Sequence, residues 1–346
     1  MLNFLQYIKE EFLLEERKVN PANEEHVVAH AWNHLVGNGI VKHGEDNTEA
    51  INSEIEKAKK NKNHPLHVSK AAGVSGMFRG GKVDADSYHR ELENAGRTIN
   101  TWAQHPKLKK AIKKGHTASV LGSARGELSD TWQKHGATGS ATKTSKADLV
   151  IKDPKGKAEE GINLSLKKTG GSQLVAAQSK ENMALHDHAA RTMIAEHHSH
   201  LSQKEQDAIH GEIMSHASYL SGVMRKMKGR PKAEQDEMVK SANKKIKAFH
   251  GRYPHLNFHL RKEAATGMGK FGGSGHSAHY FGKIATGKGE ASINHHEDEE
   301  MHNVYNGPLP RMSIGAHPRI NSKGKPATQR EGRLRMDVPA EKKGKK

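Results

Sequence analysis

The sequence predicts an α/β protein with a sheet core that carries helical additions on both sides. Two apolar runs near the middle of the chain, residues 149–151 and 162–166, have the length and residue types of strands. Apolar residues at helical spacing recur before these runs, between residues 87 and 104, and after them, between residues 174 and 249. The two kinds of pattern occur in one chain, so we expect a sheet core with large helical additions.

The helices are predicted from apolar stripes and from residues that start or end a helix. Asn23 is a suitable N-cap for the second helix, and Gly37 follows its last turn. Gly229-Arg230-Pro231 interrupts the longest helical region. The predicted helices cover residues 1–14, 23–36, 87–104, 128–135 and 174–249.

The two central strands are predicted to form a hairpin through Asp153-Pro154-Lys155-Gly156-Lys157, because Pro and Gly are typical turn residues. Shorter strands are predicted at residues 257–260, 279–281 and 333–338.

The composition sets limits on domains and partners. Of the 346 residues, 34% are hydrophobic and 5% aromatic, which is enough for a modest core only. We expect a helical part at residues 1–115, which would supply a helix to the core. Residues 116–338 would form the core, with a helical insertion at about 180–250, and a basic, disordered tail would occupy residues 339–346.

The net charge of +17 favours a polyanionic partner, most simply a nucleic acid. A solvated basic surface is the alternative. The chain has no cysteine, which excludes disulfides and thiolate zinc sites. We find no signal-peptide pattern and no apolar run long enough to span a membrane, so we expect no membrane partner and no secretion.

Asp148 stands at the entrance of the first central strand. Because side chains alternate along a strand, Ser165 and Lys167 share the face opposite the aliphatic residues, and a hairpin would place that face beside Asp148. A carboxylate there suits a hard divalent cation, which would polarise a phosphate, and Lys167 would orient or deprotonate the attacking water. The pattern predicts a phosphodiester-cleaving site, although an Asp that caps a turn and a Lys that faces solvent would give the same sequence.

The run Lys146-Ala147-Asp148-Leu149-Val150-Ile151, with Leu164-Ser165-Leu166-Lys167-Lys168 and Gly170-Gly171-Ser172-Gln173-Leu174, resembles the PD-(D/E)XK nuclease superfamily. The resemblance covers about thirty residues, 146–174. It implies a restriction-endonuclease-like mixed sheet, Mg²⁺ or Mn²⁺ as cofactor, and endonuclease cleavage of DNA. The superfamily usually has Asp or Glu where this chain has Ser165.

The resemblance also assigns roles to other residues. Ser165 and Gln173 would line the site beside Asp148 and Lys167, and Glu25 or Glu127 would supply the missing acidic metal ligand. A homodimer would be one way to cut both DNA strands. The lysines expected to contact DNA phosphates are Lys146, Lys168, Lys109, Lys110, Lys113 and Lys270, the last in a glycine-rich stretch whose amides would be exposed.

A non-enzymatic alternative follows from Ser165: a DNA-binding or virion structural protein with a degenerate nuclease fold. The first twelve residues, Met1–Phe12, resemble the amphipathic starts of proteins from T4-like tailed phages. We therefore expect a location in a host cytoplasm or in a virion.

The 26 histidines give a weaker pattern. His26, His30 and His34 recur every fourth residue, and another group lies between residues 186 and 200. These groups could hold zinc, but without a His-Glu-x-x-His motif the sequence favours a solvated polar face.

Overall fold

The computed structural model describes residues 85–121, 124–139, 142–167, 173–285, 290–314 and 332–338, together with residues 25, 28, 29, 31–33 and 36. The predicted helix over residues 1–14 and the tail at 339–346 lie outside these residues. Within them, helices and strands alternate, which confirms the α/β class. In chain order the elements are α1 (Ala85–Trp102), α2 (Pro106–Lys113), β1 (Thr117–Val120), α3 (Asp130–Lys134), β2 (Leu149–Lys152), β3 (Ala158–Lys167), β4 (Gln173–Ala177), α4 (Ser179–His197), α5 (Gln203–Lys226), α6 (Lys232–Arg252), α7 (Pro254–Thr266), α8 (Met268–Phe271), β5 (Tyr280–Lys283), β6 (Ser292–His295), α9 (Glu299–Tyr305), β7 (Arg311–Ile314) and β8 (Gly332–Asp337).

The strands form two sheets, with the orders β1-β2-β3-β5-β6 and β4-β8-β7. In the larger sheet, β3 and β5 are parallel, with Leu164 opposite Tyr280 and Ser165 opposite Phe281. The smaller sheet is antiparallel. The central position of β3 explains why its residues 162–165 are buried on both faces.

The chain divides into two compact units, and the first comprises residues 1–122, 151–157 and 284–292. Its described core contains Trp32 and Trp102, both completely buried. The indole nitrogen of Trp32 donates to the carbonyl of His116 at 2.8 Å, and that of Trp102 donates to the carbonyl of Ser292 at 2.9 Å. Each buried indole therefore has a polar partner, as a stable core requires.

The second unit comprises residues 123–150, 158–283 and 293–346. Its apolar core lies among helices α4–α7 and the smaller sheet. Arg261 on α7 is buried in this unit and donates to the carbonyls of Val304, Pro308 and Asp337 at 2.7–2.9 Å. This one side chain fixes α7 to the loop after α9 and to the end of β8.

The turn at residues 153–157 has the form that its sequence predicts. The Asp153 carboxylate accepts hydrogen bonds from the amides of Lys155 and Lys157, both at 2.9 Å. Gly156 has a φ of +81°, a conformation that glycine adopts without strain.

Two predicted elements differ from the structure. Residues 257–260, predicted as a strand, lie in helix α7, because Pro254 is suited to the first helical turn and Leu256, Leu260 and Ala264 share its buried face. Residues 173–177, predicted mostly as helix, form β4 and pair with β8. Sheet pairing outweighed local helix propensity there.

Candidate active site

The carboxylate of Asp148 lies where the hairpin pattern places it, beside β3. The Asp148 amide donates to the carbonyl of Leu164 at 2.8 Å, which fixes the entrance of β2 against β3. One carboxylate oxygen, Oδ2, accepts hydrogen bonds from the Leu166 amide at 2.5 Å and from the Ser165 hydroxyl at 3.2 Å. Ser165 therefore contacts Asp148, the predicted metal ligand, directly.

The polar face of β3 is enclosed. Ser165 is 1% exposed and Asn163, two residues earlier on the same face, is also buried. The Asn163 amide nitrogen lies 3.4 Å from the carbonyl of Ser274 and from Nδ1 of His279. The backbone of Lys167 continues this strand opposite Lys283. Asn163 and Ser165 thus place polar groups on the face of β3 opposite the buried Ile162 and Leu164.

The other predicted site residues lie on several elements. Glu127 is exposed in the loop before α3. Gln173 is exposed at the start of β4, opposite Asp337 in the smaller sheet. Glu25 is half-buried in a helical stretch of the first unit. Glu127 belongs to the same compact unit as Asp148, and Glu25 belongs to the other.

The lysines predicted to bind DNA have different surroundings. Lys109, Lys110 and Lys113 are exposed on α2, whose opposite face is buried. Lys146 is half-buried, and its ammonium donates to the carbonyl of Leu174 at 3.0 Å. Lys168 lies outside the described residues.

Lys270 is not a surface residue, in contrast to the sequence prediction. It is 3% exposed, and its ammonium lies 3.1 Å from a carboxylate oxygen of Glu181. The amides of Gly269 and Lys270 donate to the buried carboxylate of Glu263 at 2.8 and 2.9 Å, so they are not exposed to a DNA backbone. Burial raises the pKa of Glu263, and His188 and these amides partly offset that effect.

Comparisons with known proteins do not identify the chain. No family model, no curated protein and no solved structure matches it.

The sequence does not predict a further buried carboxylate, that of Asp187. His135 and His210 each contact it at 2.8 Å, and Arg191 contacts it at 2.7 Å. Burial alone would raise its pKa, but the hydrogen bonds from these three side chains outweigh burial and lower the pKa to about 2. Arg191 lies one turn after Asp187 on α4, a spacing that the sequence shows. His135 follows α3 and His210 lies on α5, and no spacing in the sequence connects these two to Asp187.

A cavity of about 630 Å³ in the second unit was also not predicted. It lies at the start of α4 and the end of α5, and residues 136–139 with Thr142 line one side. Lys180, Arg225 and Lys228 line it against one acidic residue, Glu181. The excess of basic side chains, together with the positive end of α4, suits an anionic group such as a phosphate.

The histidines between residues 186 and 200 do not form a single solvated face. His186 is completely buried and packs edge-on against His216 and His250, which are also buried; we call these three the core histidine cluster. Burial lowers the pKa of His186 to about 4. The predicted group of His26, His30 and His34 lies outside the described residues.

Among the described residues, two groups of His and Glu have ligand atoms that lie within 4.8 Å of one another, as metal binding requires. One is Glu196, His197 and His259, which we call the helix-end group; the other is His295, His296 and Glu297. Burial lowers the pKa of His259 to about 4. The chain therefore contains side-chain groups suited to a metal ion. No helix in the described part of the chain is both long and apolar enough to cross a bilayer.

Proposed function

We propose that the chain is a Mg²⁺-dependent endonuclease that hydrolyses DNA phosphodiester bonds, with a restriction-endonuclease-like core. The observation that carries the proposal is the position of Asp148, whose carboxylate contacts Ser165 and Leu166 at the hairpin of a mixed sheet. Asp148, just before β2, and Ser165, on β3, correspond to two of the three positions in the motif that the sequence resembles, and their side chains are in contact.

The charge distribution supports DNA as the partner. Three lysines, Lys109, Lys110 and Lys113, project from the exposed face of α2, and a separate basic cavity lies in the second unit. Lysine and arginine side chains bind phosphates without regard to base sequence. We therefore expect salt-dependent binding with little sequence preference from these contacts.

The donor atoms of the proposed site fit Mg²⁺ or Mn²⁺. Both prefer oxygen ligands, and Mg²⁺ is commonly held by one or two carboxylates together with substrate phosphates and water. Asp148 would hold the ion together with Glu127, the candidate acid of its own unit. The bound ion would polarise the phosphate and lower the pKa of water.

The chain's own groups would position the reactants. The Leu166 amide and the Ser165 hydroxyl hold the Asp148 carboxylate in one orientation. Lys167 would orient the attacking water or accept its proton, and Gln173 would line the site. Ser165 provides a hydroxyl in place of a second acid, so this site would carry less negative charge than the usual superfamily pattern.

Replacement of Asp148 by Asn tests the assignment. The Asn side-chain oxygen can still accept a hydrogen bond from the Leu166 amide, but the negative charge is lost. We expect Mg²⁺-dependent nicking of a supercoiled plasmid to fall at least ~100-fold, while DNA binding remains, because a metal ligand is removed without a change of shape.

Asp153→Asn is the matched control, since Asp153 lies at the opposite end of the same strand, where its carboxylate caps the turn. It should nick as the parent does. Nicking by Asp148→Asn at the parental rate, with both variants folded by circular dichroism, would show that Asp148 is not the metal ligand.

A DNA-binding protein without catalysis is the second candidate. The observation that favours it is Ser165, which is enclosed and donates its hydroxyl to Asp148. A parent protein that binds DNA but does not nick it with Mg²⁺ or Mn²⁺ would establish this alternative. A homodimer and a host-cytoplasmic or virion location are compatible with both candidates.

A further inference from the structure

The helix-end group lies where the last turn of α4 meets α7. Glu196 and His197 belong to that turn, and His259 lies on α7, about sixty residues later in the chain. The two helices pack against each other in the second unit. The group is separate from the Asp148 hairpin in its elements and in its donor atoms.

His259 is buried without the hydrogen bonds that its ring requires. It is 3% exposed, and within the described part of the chain neither Nδ1 nor Nε2 has a hydrogen-bond partner. A neutral imidazole has one N–H donor and one acceptor, and burying both unpaired is costly. The Nε2 atom faces Glu196 Oε2 at 3.7 Å, which is too long for a hydrogen bond.

The donor atoms lie slightly farther apart than the ligand atoms of a zinc site, so a bound ion would draw them together. The ligand atoms of Glu196, His197 and His259 lie within 4.8 Å of one another. In tetrahedral zinc sites, metal–ligand bonds of about 2.0–2.1 Å place the ligand atoms about 3.3 Å apart. Glu196 and His197 are exposed and can rotate to close that difference, whereas His259 is held by its packing.

The surroundings also favour a cation. The carbonyl end of α4 carries partial negative charge at this position, and its C-cap is His198. His255, one turn before His259, stacks on His197 with ring centroids 4.0 Å apart and an interplanar angle of 17°. Such a neighbour restricts the orientation of a ligand ring.

We propose that Glu196, His197 and His259 bind a Zn²⁺ ion that joins the end of α4 to α7, with a water molecule in the fourth position. Two imidazoles and one carboxylate are a donor set that suits Zn²⁺ better than Mg²⁺. The ion gives His259 the partner that the described residues do not provide, and it stabilises the contact between the two helices.

The other group, His295, His296 and Glu297, is a weaker candidate. Its residues are consecutive in the chain, so an ion there would join no separate elements. His296 has one buried ring nitrogen without a partner among the described residues, whereas His259 has two. Glu297 nevertheless offers a matched control, because it is an exposed Glu beside a His, as Glu196 is.

The test measures Zn²⁺ binding to the full-length protein after EDTA treatment and removal of the chelator. Isothermal titration with ZnCl₂ would compare the parent with Glu196→Gln, His259→Gln and Glu297→Gln. We expect the parent and Glu297→Gln to bind Zn²⁺ with equal affinity at the helix-end group. Glu196→Gln should bind at least ~10-fold more weakly, and His259→Gln should lose that site.

Co²⁺ provides a second readout, because its visible spectrum distinguishes four-coordinate sites from six-coordinate ones. The four-coordinate spectrum should appear with the parent and Glu297→Gln and should be absent with His259→Gln. If His259→Gln does not fold, Glu196→Gln decides the question, since Glu196 is half exposed and its replacement leaves the core intact. Parental Zn²⁺ affinity in Glu196→Gln, or loss of the ion in Glu297→Gln alone, would overturn the proposal.

Discussion

Helix α4 contributes to two histidine groups that look alike in ring spacing but differ in chemistry. In the core histidine cluster, ring centroids lie 5.7–6.3 Å apart, and in the helix-end group His197 and His259 are 5.5 Å apart. Among the described residues, however, the donor atoms converge in the helix-end group and not in the core cluster. Close rings alone do not make a candidate metal site. The ring nitrogens must also point toward one another, and a carboxylate must lie nearby.

The two groups should also respond differently to acid. The core cluster lies between α4, α5 and α6, and Arg252 and Lys245 on α6 add positive charge near it. Burial, followed by the charges of His186, Arg252 and Lys245, lowers the pKa of His216 to about 3. Its rings are therefore neutral in the folded protein at pH 7, and they act as apolar packing groups.

The largest expected effect is a loss of stability between pH 6.5 and pH 4. Over this range the unfolded chain protonates His216 near pH 6.5, but the folded chain does not. The unfolded state therefore binds more protons, and the free energy of unfolding falls as the pH is lowered. With a folded pKa of about 3, the loss from His216 alone is about 3 kcal/mol at pH 4. Urea unfolding in EDTA at pH 7 and pH 4 measures it.

His216→Phe removes this contribution and keeps the stack with Phe249, whose ring lies 3.9 Å away. Between pH 7 and pH 4, the free energy of unfolding of the variant should fall by about 3 kcal/mol less than that of the parent. Replacing the exposed His200 by Gln is the control and should leave the parental difference unchanged. Equal losses in the parent and His216→Phe would mean that His216 is already accessible to protons in the folded protein.

The sequence predicts the Asp148 hairpin well because its parts are close in the chain. The apolar run of β2, the turn at 153–157 and the alternation of β3 are each local patterns, and they place Ser165 beside Asp148. The sequence does not predict the helix-end group, since Glu196 and His259 meet through the packing of two helices. No spacing rule brings residues sixty positions apart together.

Burial of polar residues was the hardest property to predict. Lys270 and His186 are residue types found mostly at surfaces or half-exposed. The structure encloses Lys270 because Glu181, on another helix, supplies the opposite charge. His186 is enclosed because Asn182, one turn earlier, accepts its Nδ1 hydrogen through a backbone carbonyl. A local pattern reveals neither Glu181, which lies on another helix, nor the packing of His216 and His250 around His186.

Asp187 adds a third environment on α4, and its replacement should have an intermediate effect. The hydrogen bonds from His135, His210 and Arg191 stabilise its charged form by about 2 kcal/mol, since its pKa is about 2 rather than 3.8. At pH 7 the free energy of unfolding of Asp187→Asn should therefore be about 2 kcal/mol lower than that of the parent. Exposed Asp207→Asn should change the stability by less than ~0.5 kcal/mol.

The pH dependence separates this effect from that of the core cluster. A lowered carboxyl pKa contributes stability above about pH 3.8 and loses it as the pH falls toward 2. The difference between Asp187→Asn and the parent should thus be the same at pH 7 and pH 5, where the difference for His216→Phe already changes. A difference that disappears at pH 5 would assign the effect to histidine protonation instead.

The smallest expected effect is that of replacing His255. It decides whether the fourth ligand of the ion is water or a protein side chain. If His255 orients His197 through the stack alone, His255→Ala should weaken Zn²⁺ binding about 10-fold, as other supporting contacts around metal ligands do. Isothermal titration measures the change, with His200→Ala as the control in the loop after α4. Parental affinity would show that the stack has no part in binding. Complete loss of Zn²⁺ binding would make His255 the fourth protein ligand. Four protein ligands without water are typical of structural zinc sites rather than of sites that bind a substrate.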